Sequence, residues 1–109
     1  MTKYGSTDEM QKLAWGGTKS ATPDILTSIQ NTVTTLINLV LNRNEDYSIV
    51  PTAITDIANL VGSEILRNRG SRENELTTIQ ILDMIKALLM SYKDQAPISE
   101  NRWGNVWYV

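Results

Sequence analysis

The chain contains no cysteine and no histidine. The first absence excludes disulfides, thiolate nucleophiles and cysteine metal sites. The second removes the commonest general base and the commonest metal ligand. Charge is also missing where a surface helix would normally carry it, since none falls between Asp24 and Arg43. The opening MTKYGSTDEMQKLAW has no apolar signal core, so export by that route is not indicated. A formal net charge of −2 provides no general attraction to phosphate backbones or anionic lipid. A carboxylate-only metal site and a lysine- or carboxylate-based enzyme remain open on composition alone. Motifs for either are lacking: Glu45 and Asp46 are adjacent but too few for a cation, and WGGTKS lacks the spacing and the strand of a phosphate-binding loop. The expectation is a protein that is not an enzyme and holds no cofactor or metal.

What is present reads as helix. With 109 residues, 41% hydrophobic and 20% charged, the chain suits one globular domain with a single core. Ser6 with Glu9 fits a capping box that opens a short helix near 7–14, and Gly16 and Gly17 stop it. Thr22, Pro23 and Asp24 form a strong N-terminal signal for a second helix over about 23–42. Ile25, Ile29, Val33, Leu36, Ile37, Val40 and Leu41 recur on it at helical spacing. Pro51 opens a third helix near 52–69, with Ile54, Ile57, Ala58, Val61 and Ile65 as its apolar stripe. Gly62 lies on the same side, either allowing a close helix contact or costing stability. Tyr47, Ile49 and Val50 are expected to tuck against the core before it. Gly70 as C-cap and Ser71 as N-cap then place the fourth helix near 74–92. Its IQILDMIKALLM is apolar nearly all round: Leu82, Ile85, Leu89 and Tyr92 face one side, while Ile79, Ala87 and Met90 need a second surface. Pro97 disfavours helix at Ala96. The fold class is therefore all-α: a compact bundle of about four helices over 1–93, followed by an extended aromatic tail over 94–109.

Three features stand apart from ordinary core patterning. Nine of the eighteen residues over 25–42 are Ser, Thr, Asn or Gln, which rules out a membrane span. Thr27, Asn31, Thr34, Thr35 and Asn38 fill the polar side of that helix. This side is either solvated or packed against another copy, where charge would be costly to desolvate. Thr27, Asn31, Thr34 and Asn38, with Ile79 and Met90, are the candidate subunit interface. Second, Arg67, Arg69 and Arg72 make one basic cluster, diluted by Glu64, Glu73 and Glu75; it is a solvated turn or a loop facing DNA. Third, Trp103, Trp107 and Tyr108 crowd the last seven residues. Burying them would hide on the order of 500–700 Å², an area that as one open patch would match or exceed the largest on a typical monomer. Either the tail covers its own bundle, or Trp103, Val106, Trp107, Tyr108 and Val109 anchor it in a partner.

This layout resembles the head-tail connector (adaptor) proteins of tailed bacteriophages, small α-helical subunits that form a ring beneath the portal. YGSTDEM matches their N-terminal pattern of Tyr, a small residue, Ser/Thr and then acidic residues opening a helix. TPDILTSIQNTVTTLINLVLN, VPTAITDIANLVGSEILRNRG and TIQILDMIKALLM follow the family's helix order over most of the chain. The chain departs from the family in helix two, with threonines where alanines and charges are usual. The resemblance implies a structural virion protein of the neck, made in the host cytoplasm and joining the capsid portal to the tail. It also implies a homo-oligomeric ring of about twelve copies, portal and tail or neck proteins as partners, DNA only as passing cargo, and no membrane. The rival expectation is a small helical module or regulator that docks a partner protein through its C-terminal tail. A third is a small enzyme or nucleic-acid factor using the three arginines.

Overall fold

The computed structural model describes residues 2–42, 47–69 and 75–95, with 92–95 as backbone alone. Four helices form an all-α bundle: α1 (Thr7–Trp15), α2 (Pro23–Leu41), α3 (Thr52–Asn68) and α4 (Thr78–Gln95). The described residues contain no strand.

Local chemistry sets the first two helices. The Glu9 N–H donates to Ser6 Oγ at 3.4 Å, and Asp8 and Glu9 lie at the positive end of α1. Gly16 closes it with φ 61°, its N–H donating to Lys12 O, a backbone turn that glycine adopts without a Cβ penalty. Thr22 caps α2 through its side chain and Pro23 occupies the first turn. Asn42 ends it at φ 55°, a conformation that asparagine tolerates better than most residues. Pro51 opens α3 without a side-chain cap; its carbonyl accepts from the Ile54 and Thr55 N–H groups instead.

The fourth helix starts later than the Gly70-Ser71 punctuation suggests. Its cap is Thr77: the Gln80 N–H donates to Thr77 Oγ1 at 3.1 Å, and the Thr77 N–H donates to Gln80 Oε1 at 2.8 Å. This reciprocal box satisfies two otherwise orphaned groups, so Thr77-Thr78-Ile79-Gln80 decides the start. Gly70 and Ser71 lie outside the described residues, and α3 itself ends with Arg69 as C-cap. At the far end α4 runs through Gln95, past the expected helix end near 92. Thr77→Ala is expected to cost about 1 kcal/mol, read as a melting temperature lower by roughly 4 °C with the helical spectrum retained.

α1 and α3 pack side by side in the same direction, and Gly62 explains their closeness. A Cβ at Gly62 would lie 2.8 Å from Met10 Cγ and 2.9 Å from its Cε, so the glycine leaves the space that Met10 fills. Met10, Val33, Ile37, Ile54, Ile57, Ala58, Val61 and Ile85 are fully buried together. α4 adds Ile81, Ile85 and Leu89 to this core, packing on both α2 and α3. Tyr47 and Val50 pack against the core as expected, but Ile49 is 85% exposed. Tyr47 takes the available place beside Tyr4, their ring centres 6.1 Å apart, leaving Ile49 outward.

Candidate docking surface

Two different surfaces of α2 divide its polar residues. The first is internal. The extended segment Tyr4–Ser6 lies between α2 and α3 and brings backbone polar groups into the interior, where each needs a partner. The Tyr4 N–H donates to Thr34 Oγ1 at 3.0 Å, and the Tyr4 hydroxyl donates to Asn38 Oδ1 at 2.5 Å. Gln30 Nε2 donates to Gly5 O at 3.0 Å, and the Ser6 N–H donates to Asn59 Oδ1 at 2.7 Å. Gln30, Thr34 and Asn38 fall at i, i+4 and i+8, one row along the helix. Thr34 is 1% exposed and Asn38 7%. These two residues were expected at a subunit interface; instead they hold the chain's own N-terminal segment. The reason is physical: a helix face covered by extended backbone needs polar side chains, and the helical period alone does not distinguish that from a solvated face. Tyr4, Gln30 and Asn59 escaped the sequence reading as structural partners, although the polar row beside Ile29, Val33 and Ile37 was a visible signal.

The second surface is external. Thr27, Ser28, Thr32, Thr35 and Leu39 are exposed on α2, with Leu39 at 66%. None of them is charged. Beside them Asn31, Thr32, Thr35, Leu36 and Thr78 line an open cleft of about 280 Å³ between α2 and the start of α4. That is slightly below the size at which small-molecule pockets usually begin, roughly 300 Å³, so it suits one large side chain better than a cofactor. Asn31 is half-buried there, and its Oδ1 is buried without a hydrogen-bond partner. Ile79, next to Thr78, is 71% exposed, and Met90 further along α4 is 53% exposed. Ala87 is exposed on the same helix. The second surface that α4's apolar residues require is thus left open among the described residues.

The arginine cluster does not form one loop. Arg67 lies on α3, its guanidinium turned to the C-terminal end of α1: Nη2 donates to Leu13 O at 3.0 Å and Nε to Ala14 O at 3.5 Å. It also pairs with Glu64. A cation at that helix end meets unsatisfied carbonyls and the negative end of the dipole. Arg67 therefore joins α1 to α3 while its side chain stays about half exposed. Arg69 is exposed as the C-cap of α3, and Arg72 lies outside the described residues. The tail residues Trp103, Val106, Trp107, Tyr108 and Val109 also lie outside them, as do Glu45 and Asp46.

Among the described residues no group of three or more carboxylates is placed to hold a metal ion. No helix there is long and apolar enough to cross a membrane. Comparison with protein-family models, curated proteins and solved structures finds no match.

Proposed function

We propose that the chain is a structural assembly subunit, a ring-forming head-tail connector that joins a phage capsid portal to the tail. The observation that carries this reading is the uncharged outward face of α2, continued by Ile79 on α4. Exposed Leu39 on α2 and exposed Ile79 on α4, each on a helix surface with uncharged threonines nearby in sequence, suit a protein interface, where apolar anchors are buried and charges are depleted at the centre. The helix order of the N-terminal capping box, long helix, proline-opened helix and apolar helix supports the connector class in particular. In this role the protein acts as a non-enzymatic virion component of the neck, assembled from the host cytoplasm. Its partners are sibling subunits, the portal, and tail or neck proteins. A mildly acidic wall suits passing DNA, because it repels phosphate instead of gripping it.

Native mass spectrometry of the full chain, alone and mixed with a purified phage portal ring, tests the reading. The expected result is a closed complex carrying many copies of the chain, about twelve by the connector resemblance. Persistence as free monomer beside an intact portal ring would remove the connector function.

A further inference from the structure

Residues 2–15, the N-terminal arm, meet α2 and α3 at three places. At the start, extended backbone is held at three consecutive residues: the Tyr4 N–H by Thr34 Oγ1, Gly5 O by Gln30 Nε2, and the Ser6 N–H by Asn59 Oδ1. In the middle, Met10 fills the space that Gly62 leaves. At the end, Arg67 donates to the carbonyls of Leu13 and Ala14. α2 and α3 also pack directly on each other and on α4, so this seat is positioned by contacts that do not involve the arm. It is selective as well. Gly5 has φ 80°, a conformation that favours glycine, and a Cβ there would lie 2.7 Å from Asn59 Oδ1 and 3.0 Å from Ala58 Cβ. The same Asn59 oxygen accepts the Ser6 N–H at 2.7 Å, so its retreat would leave a part-buried donor unpaired. With the Tyr4 hydroxyl met by Asn38, the seat reads Tyr-Gly-Ser.

The connection between arm and seat is suited to separation. Gly16 and Gly17 take φ values of 61° and 84° with open space around both, and residues 16–20 are exposed. Thr18 and Ala21 bond back to α1, at Trp15 O and Gln11 Oε1, so the connection is tied to the arm. The nine residues of α1 are too few for a stable isolated helix; the arm becomes helical as it docks. An arm supplied by another copy makes the same contacts as the resident one, which keeps the cost of exchange low. We propose that the α2–α3 seat is a recognition site for an extended Tyr-Gly-Ser segment leading into a helix, and that it takes this arm from a second copy of the chain as it takes its own. This goes beyond the connector reading and does not depend on it.

Peptide rescue of the full chain tests it. The host is full-length Gly5→Ala, whose own arm no longer fits while the seat is unchanged. Two N-acetylated peptides of residues 2–15 stand in for the arm of a second copy, one of parent sequence and one carrying Gly5→Ala. Each bears a fluorophore at its C-terminal end for anisotropy. Gly5→Ala is expected to lower the melting temperature of the chain. Excess parent peptide is expected to restore most of that loss, because a ligand of the folded state alone stabilises it. The parent peptide is expected to bind the Gly5→Ala chain roughly tenfold more tightly than the Gly5→Ala peptide does. It is also expected to bind that chain roughly tenfold more tightly than the parent chain, whose tethered arm competes at high effective concentration. If the Gly5→Ala chain does not fold alone, return of its helical spectrum with the parent peptide is the same result. Equal binding of the two peptides, equal binding to the two chains, or no recovery of melting temperature or helix would overturn the proposal. A Gly5→Ala chain that melts with the parent would do so too.

Discussion

Replacing Tyr4 with alanine is expected to lower the melting temperature by on the order of 12–20 °C. Tyr4 is 1% exposed, three residues before the first helix begins. Truncating a buried aromatic costs roughly 3–5 kcal/mol, because the transfer energy is lost and a cavity remains. Here the ring also contacts Tyr47, and the hydroxyl donates to Asn38 Oδ1. Tyr4→Phe separates these contributions: it keeps the packing and removes the donor, at about 1–3 kcal/mol. A thermal melt of the two variants beside the parent chain is the measurement. An N-terminus that frays in the ordinary way would show almost no change in either.

The second large effect is at Thr34. Thr34→Glu is expected to unfold most of the population near pH 7. Thr34 is 1% exposed, and its hydroxyl accepts from the Tyr4 N–H. A carboxylate there is desolvated at a cost of several kcal/mol, a large share of the roughly 5–15 kcal/mol available to a domain. Its extra length also overpacks the site. The pH dependence identifies the cause. Burial raises the carboxyl pKa in the folded state above its unfolded value of about 4.3. The folded state then binds more protons than the unfolded state between those values, so stability falls as pH rises. The variant is therefore expected to be most stable below about pH 4 and to lose stability towards pH 7, measured by urea unfolding across that window.

The first three helices were readable because their caps are local. Ser6 for α1, Thr22 and Pro23 for α2 and the Pro51 carbonyl for α3 act on backbone groups within one turn, and the observed starts follow them. α4 was misplaced for the same reason: the Gly70-Ser71 pair was weighted above the Thr77–Gln80 box, which makes two hydrogen bonds. The site was legible only by half. The lack of charge along α2 left a solvated face and a protein-facing one both open, and Thr27 and Thr35 are exposed. Thr34 and Asn38 were drawn into the same set because polarity at helical spacing looks alike whether water or buried backbone lies opposite. Their partner, Tyr4, is 30 and 34 residues away, and local periodicity holds no information about it. Arg67 followed the same pattern, since the carbonyls it reaches are more than 50 residues distant in sequence.

Neighbouring threonines on α2 test the whole account most directly. Thr34 faces the N-terminal segment within the subunit; Thr35 lines the open cleft. Glutamate is placed at each in turn, and each variant is followed by thermal melting and by native mass spectrometry with the portal ring. The account predicts opposite failures. Thr34→Glu loses its melting transition near pH 7, whereas Thr35→Glu melts within a few degrees of the parent chain, as an exposed substitution costs at most about 0.5 kcal/mol, yet fails to enter the ring. A Thr35→Glu chain that assembles normally, or a Thr34→Glu chain that remains fully stable, would contradict it.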